Sequence, residues 1–413
     1  MKQNKSYKFR IYPNKEQQVL FAKTFGSNRF VWNNALSYKN DLYNSRKEFY
    51  NKYDSIKDLS QIKKIDEYSW LKEVDSQSLQ QTLFDLDLAF KSLYRKIKKG
   101  LPTSVRFKNR DSKQSYRTNN INNSIRVNFN DKRIKLPKLG FVKFKDKRQF
   151  IDNIKSTTIS KTKTGKYFVS LLVEYDFESN KPNTINISKV FSADMSAKNF
   201  MISEEMEFEN QRFYRNSERR LRIRQRRLSN KVKGSNNRIK QKLRVASYHE
   251  LITNRRRGFQ RNLIHELITK FDVFCFEDLN TKGMQQFSKG LSKTVSLDFS
   301  WSEFLNFFEW KAFKHNKHFT KIDRWFPSSK MCSECGTINE DLKLSDRTYK
   351  CDCGLEIDRD INASRNIKKV GLDQLIDLGI NLIKNSTDLM SESYACGDTM
   401  NDVSCSAQES TTL

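Results

Sequence analysis

Four cysteines in one short stretch constrain this chain more than any other feature of its sequence. Cys332 and Cys335 form a Cys-x-x-Cys pair with Gly336 behind it, and after a gap of 15 residues Cys351 and Cys353 follow as Cys-x-Cys, again with a glycine behind. A tetrahedral zinc ion takes four soft ligands, and two knuckles joined by a short hairpin supply them. The Cys-x-Cys spacing shortens the second loop yet lets both thiolates reach one ion; four unrelated core cysteines are the competing reading. A structural zinc has all four positions filled by protein, so one Zn²⁺ here folds a ribbon and takes no part in chemistry. Cys275, Cys396 and Cys405 have no partner pattern and read as one core residue and two tail residues.

Charge narrows the partner. The 413 residues carry 77 Lys and Arg against 48 Asp and Glu, a formal net charge of +29, while 37% hydrophobic and 12% aromatic residues leave enough apolar material for real cores. Such self-repulsion is most readily borne beside a polyanion, and nucleic acid is the first choice, an anionic membrane surface the second. No apolar run reaches the roughly 18 residues of a spanning helix, and the opening MKQNKSYKFR has no secretory apolar core. The expected compartment is therefore the cytoplasm, where clustered cysteines bind metal more often than they form disulfides.

Periodicity divides the chain. YKFRIY, 7–12, alternates like a strand that Pro13 stops, and residues 14–43 read as helical with a break near Gly26. Leu79, Leu83, Leu86, Phe90, Leu93 and Ile97 mark a long amphipathic helix over 76–98. From residue 122 the period is two, through Ile125, Val127 and Phe129, a turn at Asn130-Asp131, Ile134 and Leu136, Val142 and Phe144, and a hairpin at Thr164-Gly165 into Tyr167–Val173. An early strand joined to these later ones predicts a small β-barrel, OB-like, from 1–13 and 121–180, with 14–120 as a helical recognition insertion. Residues 180–188 read as a linker, KVFSADMSAKNFMIS as two strands around a turn, FDVFCFE as a buried strand and 300–318 as a Trp- and Phe-rich helix. Residues 209–245 carry 14 Lys and Arg against two Glu on a helical pattern, too steep a bias for an ordinary solvated face. Residues 385–413, without Lys or Arg, read as a disordered tail.

Three acids stand at element ends. Asp194 ends the strand from Val190, Glu277 ends FDVFCFE, and Asp360 opens a helix near Ile361. Each alone has a plain explanation, solvation for the first two and helix capping for Asp360. Converging at one sheet edge, they would instead hold two Mg²⁺ ions for phosphodiester hydrolysis.

SADMSAKNF, FCFEDLNTKGM and IDRDINASRNI, with the cysteine ribbon between the last two, resemble the split RuvC-like nuclease centre of the TnpB family of transposon-encoded, RNA-guided DNA endonucleases. YKFRIYPNKEQQVLFAKTFGSNRFVWNNAL, DSQSLQQTLFDLDLAFKSL, HELITNRRRGFQRNLIHEL and RWFPSSKMCSECG extend the likeness over nearly the whole chain. The resemblance implies an α+β multidomain protein: the barrel, an RNase H-like nuclease domain with basic helices over 187–326, the zinc ribbon over 327–356, and the last nuclease part over 357–384. It implies Asp194, Glu277 and Asp360 as catalytic acids and Mg²⁺ ligands, with Asp358 in support. The family often has glycine where this chain has Ser196, and serine fits if the backbone there avoids positive φ.

The implied partners are a guide RNA from the transposon end and target double-stranded DNA, in a prokaryotic cytosol around the nucleoid, with no membrane and no protein partner indicated. Candidate contacts are Gln77, Gln80 and Gln81, since glutamine pairs bidentately with adenine, and Arg219, Arg220, Arg222, Arg226, Arg227, Arg255 and Lys330 for phosphates. Polar positions on an exposed helix face are the plain alternative for the glutamines. The competing functions are a nuclease-inactive RNA-guided repressor, a compact type V CRISPR effector and a strand-joining transposase.

Overall fold

Alternating residues at the start of the chain give a long strand one buried face. In β1, Lys2–Tyr12, the side chains of Tyr7, Phe9 and Ile11 enter a core while the residues between them face water. The computed structural model describes residues 2–46, 50–196, 198–287, 292–343 and 345–383. The chain forms two compact units, 1–178 and 179–413.

The first unit adds β2 Gln114–Asn119, β3 Arg126–Asn128, β4 Arg133–Leu136, β5 Gly140–Phe144, β6 Asn153–Lys161 and β7 Tyr167–Asp176. All seven make one antiparallel sheet in the order β2-β6-β7-β1-β5-β4-β3. The two hairpin turns fall where the sequence predicts them, with Gly165 at φ 80° in the second. The hydrogen-bonded order is linear, yet Tyr116 on edge strand β2 and Val127 on edge strand β3 share one apolar core with Phe9, Phe144 and Val169. Strand β2, QSYRTN, is too polar to announce itself and is held by Tyr116 and Thr118 pointing inward.

Helix α1 runs Lys15–Arg46 without a break at Gly26, contrary to the sequence expectation. Phe21, Phe25, Val31, Trp32 and Leu36 are buried along it, and that packing outweighs the roughly 1 kcal/mol a helical glycine costs. Helix α2 (Lys52–Ile62), a 3₁₀ stretch (Asp66–Lys72) and α3 (Ser76–Ile97) complete this part. The predicted apolar stripe of α3 is buried at Leu79, Leu83, Leu86 and Phe90 against Leu36, Leu59 and Leu71. Buried Asn28 of α1 is satisfied by the Thr24 carbonyl at 2.8 Å and by Ser78 and Thr82 of α3.

The second unit contains β8 Thr184–Asn186, β9 Val190–Ser192, β10 Met201–Ile202, β11 Glu207–Phe208, β12 Val273–Glu277, β13 His318–Ile322, β14 Thr348–Lys350, β15 Glu356–Asp358 and β16 Asn381–Ile383. Its helices are α4 Arg215–Ser229, α5 Asn236–Lys270, α6 Thr281–Phe287, α7 Trp301–Lys314 and α8 Arg359–Asp377. The central sheet, β13-β12-β9, is entirely parallel. Phe274 and Phe276 of β12 pack with Leu263 and Leu267 of α5 and Phe304 and Phe308 of α7, while Val273 and Cys275 face Ile367 and Leu375 of α8. Burial on both faces is why Val273–Phe276 is apolar throughout, and Cys275 is a core residue as expected.

Two expectations give way in this unit. The supposed linker contains β8, which pairs in parallel with β16 at the far end of the described chain. The Trp- and Phe-rich helix stops at Lys314, and His318 already opens β13. The predicted tail, with Cys396 and Cys405, lies outside the described residues.

Candidate active site and metal ribbon

Strand register brings two of the predicted acids together. Cys275 of β12 pairs with Ser192 of β9, and that pairing carried two residues further sets Glu277 level with Asp194, both at the carboxyl edge of the parallel sheet. Asp194 is held there by reciprocal backbone bonds with Ile202 at 2.9 Å. The strand itself ends at Ser192, so Asp194 stands just past it. Ser196 follows with no positive φ, so serine fits where the family often has glycine.

The third acid arrives on α8, which lies across this sheet. Ser364 donates from its hydroxyl to the Ser192 carbonyl at 3.0 Å, and the two serine hydroxyls lie 3.1 Å apart. Asp360 is one turn before Ser364, so the contact that docks α8 on β9 also sets Asp360 by the end of that strand. Further along, a Cβ on Gly371 would sit 2.5 Å from Cys275 Sγ, so helix and sheet touch at a distance only glycine allows. Asp360 does not cap the helix. Asp358 does, accepting the backbone N–H groups of Asp360 at 2.8 Å and Ile361 at 3.3 Å.

Electrostatics registers the convergence. Burial, with the nearby Asp360 carboxylate, lifts Asp194 to about 6, partly offset by the Met195 N–H and by Arg359. Burial, then Asp194 and Asp278, lifts Glu277 to about 7. Asp360 is 8% exposed and has the Arg359 guanidinium 3.5 Å away. Buried carboxylates whose neighbours are also carboxylates, as at Asp194 and Glu277, are a donor set that a hard divalent cation fits, because it removes the repulsion that desolvation has sharpened.

The cysteines form a second, separate cluster. The ligand atoms of Cys332, Cys335, Cys351 and Cys353 all lie within 4.8 Å of one another, and among the described residues no other set of three or more His, Cys, Asp or Glu does so. Sγ–Sγ distances are 3.6 Å for Cys332–Cys353 and 3.5 Å for Cys335–Cys351. Each knuckle turns on a left-handed glycine, Gly336 at φ 78° and Gly354 at φ 92°, which is why a glycine follows each pair. Four thiols so arranged fit one tetrahedral zinc.

Ribbon and site are joined by two asparagines that sequence reasoning passed over. Asn362 donates to the Met331 carbonyl at 2.7 Å and accepts from the Ser333 N–H at 3.0 Å, so it grips both neighbours of Cys332. Asn366 donates to the Met331 and Ser328 carbonyls at 2.7 and 2.8 Å. Both are buried. Their spacing of four in IDRDINASRNI puts two polar residues on the apolar face of a helix, and that was the available signal. From the other side, β14 pairs with β15, and β15 ends at Asp358. Asp298 was also missed. It accepts from the Tyr214 and Arg215 N–H groups at 2.7 and 3.2 Å, anchoring the start of basic helix α4.

The predicted nucleic-acid residues separate by exposure. Arg219, Arg220, Arg222, Arg226 and Arg227 on α4 and Arg255 on α5 are exposed, and of these only Arg222 makes an ion pair among the described residues, with Glu218 at 3.3 Å. Helices α4 and α5 pack through Leu221, Val245 and Ile252, which leaves these arginines in solvent. Lys330 donates to the Glu340 carbonyl at 2.7 Å, which ties it to the ribbon. Gln77 and Gln80 are half-buried, whereas Gln81 is buried on the core side of α3 and has the least room for a base.

Fold and site thus define a class: a parallel α/β domain with acids gathered at its carboxyl edge and a four-cysteine ribbon inserted before its last helix. Three family descriptions match, a "Helix-turn-helix domain" over 1–48, "Probable transposase" over 170–288 and "Cas12f1-like, TNB domain" over 301–367. A "Putative RNA-guided DNA endonuclease" of Streptomyces pristinaespiralis is 32% identical over 371 residues, 89% of each chain. A "Putative RNA-guided DNA endonuclease InsQ" of Escherichia coli (strain K12) is 28% identical over 388 residues, 90% of this chain and 93% of its own. A solved Cas12f1–sgRNA–target DNA complex is a distant likeness, 12% identical with a TM-score of 0.45 over 89% of this chain and 99% of that one. The chain belongs to the TnpB family. No described helix is long and apolar enough to cross a membrane.

Proposed function

We propose that this chain is an RNA-guided DNA endonuclease that cuts double-stranded DNA beside a short flanking motif, carried by a transposable element whose end supplies the guide RNA. The observation that carries the reading is Asp194, just past the end of β9, electrostatically coupled both to Glu277 at the end of the neighbouring parallel strand β12 and to Asp360 on α8. In open α/β sheets, substrates sit at the carboxyl ends of the strands. Asp194, Glu277 and Asp360 would hold Mg²⁺, which when bound activates water and stabilises the leaving oxygen of a phosphodiester. The chain's own part is positional. Asp358 keeps the first turn of α8 closed, Ser364 one turn on docks the helix on β9, and Arg359 balances charge at Asp360.

Exposed α4 arginines suit a guide–target duplex, giving affinity without sequence information, while base pairing by the guide supplies the sequence. Gln77 and Gln80, beside a curled sheet that we read as an OB-like barrel, are the candidates for reading the flanking motif. The four-cysteine set would hold one structural Zn²⁺. A nuclease-inactive repressor would be expected to lack an acid, and this chain has all three.

The test is to sequence the RNA that copurifies with the protein and then assay cleavage of a plasmid library of flanking motifs. Guide-dependent double-strand breaks that vanish in Asp360→Ala, with RNA binding retained, are expected. Cleavage by Asp360→Ala, or strand-transfer products instead of breaks, would overturn the reading.

A further inference from the structure

Trp325 is 84% exposed, although the segment that carries it is firmly mounted. It lies three residues beyond Ile322, the end of β13, and Ile322 pairs directly with Glu277. The Trp325 N–H donates to Asp323 Oδ1 at 2.8 Å, and the Phe326 N–H closes a turn on the Asp323 carbonyl at 3.1 Å. Next to it, Arg324 pairs with Asp278, the neighbour of Glu277, and the Asp278 N–H bonds to the Ile322 carbonyl at 3.1 Å. On the far side Phe326 packs into the core beneath α8. The backbone is thus tied to the acid-bearing edge while the indole is left in water.

Single exposed aromatics are ordinary on protein surfaces. What distinguishes this one is its setting. It borders an open depression of about 580 Å³ lined by Asp278, Lys321, Ile322, Asp323, Arg324 and Trp325, immediately beside the Glu277 end of the sheet. Lys321 and Arg324 bring positive charge to the same depression, and each can still offer donors beyond its ion pair with Glu309 or Asp278. A rigid aromatic face flanked by cations is the arrangement on which unpaired bases stack while phosphates are neutralised beside them. Because Asp360 is nearly buried, a phosphodiester must descend to the acids, which a flexible single strand does more readily than a stiff duplex.

We propose that Trp325 is a substrate-positioning residue, a stacking platform for an unpaired base of the DNA strand being cut, with Arg324 and Lys321 steering the adjoining phosphates. The proposal rests on the nuclease reading for its choice of DNA as ligand.

The test compares full-length wild type, Trp325→Ala and Trp325→Phe, each loaded with guide RNA. Trp325→Ala is expected to weaken binding of a single-stranded oligodeoxythymidylate, and to lower cleavage at limiting DNA, by about 5- to 100-fold. Trp325→Phe should restore most of both, and guide-RNA affinity should not change. An abasic-site scan along the cut strand should reveal one position whose missing base slows the wild type but not Trp325→Ala. The oligonucleotide titration is repeated in Asp360→Ala, so it reads the platform even if no chain cleaves DNA. Unchanged oligonucleotide affinity in Trp325→Ala, or an abasic effect that persists in that variant, would overturn the proposal.

Discussion

Oδ1 of Asp358 accepts the backbone N–H of Asp360 at 2.8 Å, so two acids separated by one arginine divide their work. The first closes the helix, and the second is released toward the sheet edge. If Asp358 acts only as a cap, Asp358→Asn, which keeps an accepting oxygen, should cleave near the wild-type rate. Asp358→Ala should lose about 1 kcal/mol of stability and some activity. Cleavage rates and thermal unfolding of the pair settle it, and loss of activity in Asp358→Asn would make Asp358 a metal ligand instead.

The grip of Asn362 on Met331 and Ser333 predicts that the ribbon braces the catalytic helix. Asn362→Ala strands the Ser333 N–H, while Asn366 still serves the Met331 carbonyl, and should destabilise by about 1–3 kcal/mol. Cys353→Ser should lower cleavage more than RNA affinity. Equal losses in a paired cleavage and filter-binding measurement would leave the ribbon a folding role alone. Thiol titration with metal release should find one zinc per chain.

Asp194 at about 6 and Glu277 at about 7 both stand above ordinary carboxyl values. Below about pH 3 both are almost fully protonated whether the chain is folded or not, and neither affects stability. As pH rises toward 7 the unfolded chain gives up these protons first, so the metal-free fold loses stability through that window and stays lower above it. Asp194→Asn should therefore raise the Tm of the metal-free protein near pH 8, by about 2–4 °C per kcal/mol relieved, and much less near pH 4. Added Mg²⁺ should stabilise the wild type more at the higher pH. Calorimetric scans with and without Mg²⁺ check both, and shifts equal at the two pH values would refute the coupling.

Gly371→Ala should destabilise by about 1–3 kcal/mol, because the new methyl meets Cys275 where core and helix cannot separate cheaply. Denaturant unfolding measures it, and a variant as stable as wild type would mean that α8 can lift from the sheet.

Local chemistry made much of this protein legible from its sequence. Four cysteines with glycines behind them announce a ribbon because a metal knuckle is built within a few residues. The stripe of α3 and the apolar run of β12 announce themselves because helix and buried-strand periods are properties of neighbouring residues. Their places at the ends of predicted elements marked Asp194, Glu277 and Asp360 as candidates, and the resemblance implied their roles. What only the tertiary structure decided depends on residues far apart in the chain: the register that sets Asp194 level with Glu277, the β8–β16 pairing inside an apparent linker, and the packing that carries α1 through Gly26. It also turned Asp358 into a cap and exposed the asparagine clamp on Cys332. An acid at an element's end carries the same local signature whether it is solvated, capping or catalytic, and only the groups the fold brings beside it tell these apart.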